Sequence, residues 1–572
     1  MSRLTARLSF VLTDAQRFLI LAVLIGVFTG VIVVCFHAAI ELVEWGVHDA
    51  ATSVLARVLL PAIGAALAAL VVFQVPAAAG SGIVQTKSAL YVSNGRIPFS
   101  AVPGKFMACV LSIGTGTPLG PEDPALLMGA GVASKLGSTF GLSRRSMRHI
   151  APVGAAAGIA AAFNTPITGV LFVMEEVVAG WDAAVMGSIV LAAVSSVVTT
   201  RLFLGESPLF RVPEVAAIAS PREVLLYVAL GAASGLFATV YVRGVALLRY
   251  RLGAFRLPVG LAPLIAGLAI GGVGLAYPEI LGTGYRAMDA ALNAQYSWST
   301  MATLAAAKLL VAGLAFAAGT PGGLFAPTLF LGVMLGGAFG GLAPAAAPLV
   351  MAPSQSTLAL AGMAGVFAGV FRAPMTAVFM TFELSGTSAS ILPAMITSTL
   401  GFLIARQFHR QSILDLVAEH EGAVLPSARV GRAEEPLHVE DALRTDPATV
   451  AIIRAAESPA VVLSAMRDAA THVLVEWPRG TWAVAPAPAV MALVAAGTDV
   501  RGLSPEAGFV SVGVIYPDEL LDVAIRLLAR APVVPVVSRV DEHELLGVVT
   551  VADVRQAYRF NDPQAAAPDP GA

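Results

Sequence analysis

Apolar positions dominate the first four hundred residues, in stretches near 18–40, 54–75, 101–113, 125–136, 150–163, 166–178, 183–203, 222–248, 258–276, 300–318, 326–347, 356–371, 374–385 and 390–407. A helix needs about 20 apolar residues to cross a bilayer, and many of these stretches are shorter. The short ones gather beside Gly/Pro clusters, which predicts re-entrant or broken helices rather than a simple bundle of spans. Beyond His409 no apolar run approaches membrane length. Short β-branched runs alternate there with charged, helix-forming segments. They read as strand 510–514, helix 517–531, strand 533–537, strand 545–550 and helix 551–558, with a looser similar order over 459–498 around the turn WPRG at 477–480. The last residues, QAAAPDPGA, are too rich in Pro and Ala to order themselves.

The most informative interruption is GTGTPLGPEDPALLMG at 114–129. Four glycines, three prolines and two adjacent carboxylates break an apolar run, which resumes at Ala125. Such a break exposes backbone N–H and C=O groups, and a membrane tolerates that only where the break is buried in protein or lines a polar path. A helix restarting near Pro121 presents unpaired amides and about half a positive charge, enough to hold an anion without a cationic side chain. Glu122 sits at that end, where a carboxylate and a small anion would compete for the same amides. An ionisable residue inside a membrane segment is a functional-site candidate by default.

The interruption occurs twice. GTPGGLFAPTLFLG at 319–332 aligns with 116–129 at Gly116/Gly319, Thr117/Thr320, Pro118/Pro321, Gly120/Gly323, Pro124/Pro327, Leu126/Leu329 and Gly129/Gly332. A second pair, 154–176 and 362–384, matches at Gly154/Gly362, Phe163/Phe371, Pro166/Pro374, Thr168/Thr376 and Glu175/Glu383. Two ordered matches at nearly one spacing indicate an internal duplication, with halves of about 15–205 and 220–408 joined by LFLGESPLFRVPEVAAIASPRE. Paired, interrupted segments in corresponding places are a pointer to a transporter's binding site. The position matching Glu122 is Phe325, so one half offers a titratable group and the other an apolar wall.

Composition narrows the class. With 572 residues, 57% hydrophobic, 13% charged and a mean hydropathy of +0.80, the chain exceeds what a soluble core needs and reads as a polytopic membrane protein. A net charge of −2 argues against nucleic acid. Arg3, Arg7 and Arg17 precede the first apolar segment, which is too long for a signal peptide core, and they place the N-terminus in the cytoplasm. Cys35 and Cys109 lack metal-like spacing and read as small buried hydrophobes. Glu175 reads as an interfacial carboxylate at a helix end, because Glu383 repeats it. Glu176 has no acidic counterpart, Leu384 standing there, and a special role follows more readily for it. Ser81, in GSGIV at 80–84, is either a turn residue or a hydroxyl donor in a setting that needs few donors.

Taken together, GSGI at 80–83, G-x-E-x-P at 120–124, AAFNTPITGVLFVMEE at 161–176, GGLFAP at 322–327 and FRAPMTAVFMTFE at 371–383 resemble the CLC family of chloride channels and chloride/proton exchangers. Order and spacing agree over roughly 1–420. The tail, 421–560, is similar to the paired CBS domains found behind many CLC cores, most clearly in 508–560, with 561–572 as a disordered end. The fold class so implied is an all-α membrane core of inverted repeats with broken and re-entrant helices, followed by a cytoplasmic α/β CBS pair.

The resemblance implies a homodimer in the plasma (inner) membrane with both termini cytoplasmic and a separate pathway in each subunit. It implies that Ser81 and the backbone amides of Leu324 and Phe325 coordinate chloride, that Glu122 is the gating glutamate, and that Glu176 is the internal proton-transfer residue. Ionised, Glu122 would occupy an anion site as a tethered substitute; protonated, it would swing away. Helix ends and neutral donors bind an anion firmly enough to replace water and weakly enough to release it.

Three departures stand against the family pattern. Pro121 and Asp123 flank the glutamate where a basic residue and a glycine are usual, which weakens the attraction for chloride and makes Asp123 a possible partner in the gate. Leu414, in SILD, stands where a tyrosine closes the inner side of the anion site. Val84 replaces a proline of the first motif. In the tail the resemblance implies adenine-nucleotide binding (ATP, ADP or AMP), with Thr550 near phosphate and Asp553 on ribose hydroxyls; the first repeat has no equivalent pair, and a dimerising cap is the alternative. The leading expectation is a secondary active chloride/proton exchanger without enzymatic activity or a required cofactor. The alternatives are a passive chloride channel or weakly coupled transporter and, from another class, a CBS-gated cation pathway with a metal on Glu122 and Asp123.

Overall fold

The computed structural model describes residues 14–560 except 51, 92, 179–182, 213–217, 219, 255–256, 347–352, 421–436, 446–449, 454–469, 478–480, 497–507, 529 and 540–543. Arg3, Arg7, the tail 561–572 and most of the WPRG turn therefore lie outside the described residues. The chain divides into two compact units, 1–431 and 432–572.

The first unit is helical. Its first half contains α1 (Asp14–Ala50), α2 (Val54–Gln74), α3 (Ile83–Tyr91), α4 (Ala101–Gly114), α5 (Glu122–Thr139), α6 (Arg144–Arg148), α7 (Ile150–Phe163), α8 (Pro166–Phe172) and α9 (Ala183–Leu204). The second contains α10 (Pro221–Ala254), α11 (Leu261–Ala276), α12 (Tyr285–Leu292), α13 (Trp298–Ala317), α14 (Phe325–Ala346), α15 (Gln355–Phe371), α16 (Pro374–Ser385) and α17 (Ile391–Phe408), and α18 (Ile413–His420) follows. Among the described residues seven helices are long and apolar enough to cross a membrane, whereas Ala101–Gly114, Leu261–Ala276 and Gln355–Phe371 are apolar but shorter. The chain is thus an integral membrane protein with broken helices at its centre.

The duplication is a structural repeat, and the halves are inverted. Glu175, just past α8, accepts hydrogen bonds from Met375 N (3.1 Å), Thr376 N (2.8 Å) and Thr376 Oγ1 (2.6 Å) at the start of α16. Glu383, near the end of α16, accepts from Ile167 N (3.0 Å), Thr168 N (2.7 Å) and Thr168 Oγ1 (2.7 Å) at the start of α8. Each glutamate caps the corresponding helix of the other half, satisfying amides that have no partner inside their own helix. The end of α8 meets the beginning of α16 and the reverse, so these equivalent helices run antiparallel. Glu175 therefore closes a helix end across the repeat, a more specific use than an interfacial carboxylate.

Small residues make the packing possible. A Cβ at Gly154 would lie 2.1 Å from Gly129 O, and one at Gly362 would lie 2.6 Å from Gly332 O, so α5 against α7 and α14 against α15 approach at backbone distance in both halves. Large apolar side chains such as Phe28, Leu202 and Leu225 are exposed, as expected of surfaces that face lipid. Cys35 is also exposed, on α1, which corrects the expectation that both cysteines are buried; Cys109 is.

The second unit is α/β. Strands β1 (Val450–Ile453), β2 (His472–Trp477), β3 (Thr481–Pro486) and β4 (Val510–Val512) form one sheet in that order, with β1 parallel to β2 and the other pairs antiparallel. After α19 (Ala487–Ala495) and α20 (Leu521–Leu528), β5 (Val533–Val537) and β6 (Leu545–Thr550) form an antiparallel pair followed by α21 (Val551–Phe560). Strand β4 thus pairs with the first sheet, while Ile515, three residues beyond it, bridges to Val536 of the second.

Candidate functional site

The two long breaks meet each other. Gly120 and Gly323, matched positions of the repeat, exchange N–H···O bonds of 2.8 Å in both directions, a one-residue antiparallel bridge at the heart of the first unit. Their pairing satisfies backbone groups that unwinding would leave bare. It also sets α5 and α14 start to start, so two helix N-termini face one small volume. Ser112 Oγ adds a bond to Pro321 O (2.5 Å).

Both carboxylates at the start of α5 turn into this volume and are fully buried. Asp123 Oδ2 accepts from Leu324 N (3.0 Å) at the entry to α14. Glu122 Oε1 accepts from the phenol of Tyr285. Its Oε2 lies beside Ala326 in the first turn of α14: a Cβ on Gly120 would stand 2.1 Å from Glu122 Oε2 and 3.0 Å from Ala326 N. Only glycine leaves room for that carboxylate. Phe325 is fully buried within a cluster of rings, with centroids 4.7 Å from Phe172, 4.7 Å from Phe371 and 5.2 Å from Phe367.

Ser81 enters from the first short break. It is 1% exposed, and its Oγ has no hydrogen-bond partner among the described residues. Gly80 and Gly82 on either side have φ of 74° and 115°, values that L side chains adopt rarely. A Cβ on Gly82 would lie 2.5 Å from Asp123 O, so this loop presses on the start of α5. Leu414, at the start of α18, is 2% exposed, and α18 packs against α3, the helix that follows Ser81.

Glu176 lies in a π-turn, Val173–Val177, that continues α8. Its counterpart α16 is regular through Ser385, so the irregularity belongs to the half that carries the extra glutamate. Single π-turns inside helices often mark functional positions. Glu176 is 2% exposed and pairs with Lys87, 3% exposed, across 2.7 Å. Sequence reasoning missed Lys87, whose signal was a lone lysine seven residues from Gly80.

A second missed feature is a short counterpart of the Ser81 loop. GSGI at 80–83 is echoed by GTGY at 282–285, where Gly282 and Gly284 again have positive φ, 57° and 80°. Each loop is held by a buried lysine from the matched helix. Lys105 on α4 donates to Ala78 O (3.2 Å) and Gly80 O, and Lys308 on α13 donates to Ile280 O (2.7 Å) and Gly282 O (2.8 Å). Gly282 N also donates to Gly116 O (3.0 Å), tying the second short loop to the first long break. All four breaks are thus in contact around one buried polar centre.

In the tail, Thr550 and Asp553 form a reciprocal cap at the start of α21. Asp553 Oδ2 accepts from Thr550 N (3.0 Å) and Oγ1 (2.6 Å), while Asp553 Oδ1 accepts from Arg444 Nε (2.8 Å). Both carboxylate oxygens are therefore engaged. Among the described residues no group of three His, Cys, Asp or Glu side chains is gathered as a metal site would need.

Inverted repeats whose broken helices aim two N-termini and an interposed carboxylate at one buried polar centre define a membrane transport protein. The family model described as "Voltage gated chloride channel" matches residues 64–406, and the chain belongs to that family. It is 31% identical to the H(+)/Cl(-) exchange transporter ClcA of Vibrio vulnificus, a match covering 68% of this chain and 86% of that protein. It is 31% identical to chloride channel protein CLC-e of Arabidopsis thaliana over 65% of this chain, which spans only 58% of that longer relative. Among solved structures, a slow cyanobacterial Cl-/H+ antiporter superposes with a TM-score of 0.66 at 25% identity, covering 71% of this chain and 98% of the other.

Proposed function

We propose that this protein is a secondary active exchanger that moves chloride across the membrane in exchange for protons, with Glu122 as its gate. The observation that carries this reading is the Glu122 carboxylate seated in the first turn of α14, beside the Gly120–Gly323 bridge. An ionised carboxylate there is a tethered anion competing with chloride for helix-end amides. Protonation removes its charge and with it the reason to stay, so one group exchanges a proton for an anion. Chloride would then be held by Ser81 Oγ and the amides of Leu324 and Phe325.

Asp123 changes that scheme in one respect. Its carboxylate already engages the Leu324 amide, so chloride reaches this donor only when Asp123 withdraws. Asp123 is in this reading a second, inner member of the gate. Glu176, in its π-turn beside Lys87, would deliver protons from the inner side. Leu414 leaves the inner end of the site without a hydroxyl donor, which favours fast release over tight binding.

The further parts of the reading are a homodimer with one pathway per subunit, residence in the inner membrane with both termini cytoplasmic, and a CBS pair in the second unit. An adenine nucleotide at Thr550 and Asp553 would have to displace Arg444. The relatives' names, an exchange transporter and a channel, support the transport class, and the paired carboxylates Glu122 and Glu176 favour exchange over passive conduction.

The test is purified protein in liposomes with a chloride gradient, recording chloride flux and lumenal pH together for the unsubstituted chain and Glu122→Gln. Uphill proton movement driven by chloride, and lost in the variant, is the expected result. Chloride flux without protons would replace the exchanger by a channel or uncoupled transporter. Absence of chloride flux would overturn the assignment.

A further inference from the structure

The repeat places chemically different residues at equivalent points. Ile83 follows the GSG loop of the first half; Tyr285 follows the GTG loop of the second. Both are the first residue of a short helix, α3 and α12. The first loop carries the buried hydroxyl of Ser81. The second brings one to the carboxylate at the start of α5, through the Tyr285 phenol bonded to Glu122 Oε1.

The phenol is mounted rigidly. Gly284 caps α12 with φ 80°, and the preceding turn is held by Lys308 through the carbonyls of Ile280 and Gly282. Lys308 itself lies against the ring of Phe330, 4.9 Å from its centroid. Gly282 N is anchored on Gly116 O of the other half. The Tyr285 ring meets Phe210 edge-on, at 6.3 Å between centroids, and Phe210 N donates to Leu384 O (3.0 Å). A donor fixed in this way does not follow the carboxylate when it moves, so the bond is broken whenever the gate opens.

We propose that Tyr285 is a positioning residue that latches the gate: its phenol holds the Glu122 carboxylate in the closed position, and release of that bond limits turnover. This rests on the exchanger reading. A hydrogen bond to an ionised group is among the stronger ones in proteins, so the latch slows the cycle without supplying the chemistry of exchange.

The experiment measures chloride turnover and the chloride-to-proton ratio in liposomes for the unsubstituted chain, Tyr285→Phe, Glu122→Ala and the double variant, with Tyr285→Leu as a second way to remove the donor. Removing the hydroxyl should raise turnover about tenfold, the size expected for losing a bond to a charged acceptor, with the ratio unchanged. In the Glu122→Ala background, where no carboxylate remains to be latched, the same substitution should have no effect. An unchanged or slower rate in both tyrosine variants, or the same change in both backgrounds, overturns the latch and leaves the exchanger reading standing. Absence of chloride flux from the unsubstituted chain overturns the exchanger reading and the latch with it.

Discussion

Replacing Lys87 by methionine isolates the buried ion pair with Glu176. The two groups are 2.7 Å apart and almost fully buried. At that distance their attraction is about 6 kcal/mol for an effective dielectric of about 20. Removing each ion from water costs several kcal/mol, so the intact pair adds little net stability. Breaking it is different, because Lys87→Met leaves the Glu176 carboxylate buried without its countercharge, at a cost of about 3–5 kcal/mol. In a unit of this size that corresponds to a fall of roughly 5 °C in the thermal midpoint, measured by fluorescence on detergent-purified protein. Adding Glu176→Gln removes the orphaned charge, so the double variant should recover more than half of the loss. Proton-coupled flux should fall in both variants, while chloride movement persists. A double variant as unstable as the single, or a harmless Lys87→Met, would refute the argument that an unpaired buried charge sets the cost.

Two further predictions follow from positions the repeat makes equivalent. Gly120→Ala puts a methyl group 2.1 Å from Glu122 Oε2 and 3.0 Å from the Ala326 amide; the carboxylate is the part that can yield, so Glu122 should be displaced and, on the proposed gating role, chloride flux should become less dependent on protons in the liposome assay. Glu175→Gln and Glu383→Gln each replace a charged cap that accepts three hydrogen bonds across the repeat. Each should cost about 1–2 kcal/mol, read as a lower thermal midpoint, with nearly equal effects because the two sites are equivalent.

The helical elements of the first unit were legible in the chain because each is a local pattern. The apolar stretch at 300–318 became Trp298–Ala317, and that at 390–407 became Ile391–Phe408. The same locality explains the misses. Helices Ile83–Tyr91 and Tyr285–Leu292 are too short and too mixed in character to register as apolar runs. The first helix extends to Ala50 through polar residues that carry no membrane signal.

The duplication, the breaks and the adjacent carboxylates Glu122 and Asp123 were determined by the sequence alone, since Gly and Pro end helices wherever they stand and matched spacings survive without coordinates. The partners of those groups were decided only by the tertiary structure. That Glu175 and Glu383 exchange caps, that Asp123 takes the Leu324 amide and that Glu122 meets Tyr285 are contacts between residues more than 160 positions apart. A carboxylate in a buried site takes whichever donor the fold brings within about 3 Å, and here an inversion between two halves brings them. The inversion was likewise outside the reach of local pattern, because an apolar helix reads the same in either direction across a membrane. Antiparallel pairing of matched residues, Gly120 with Gly323, is what reveals it.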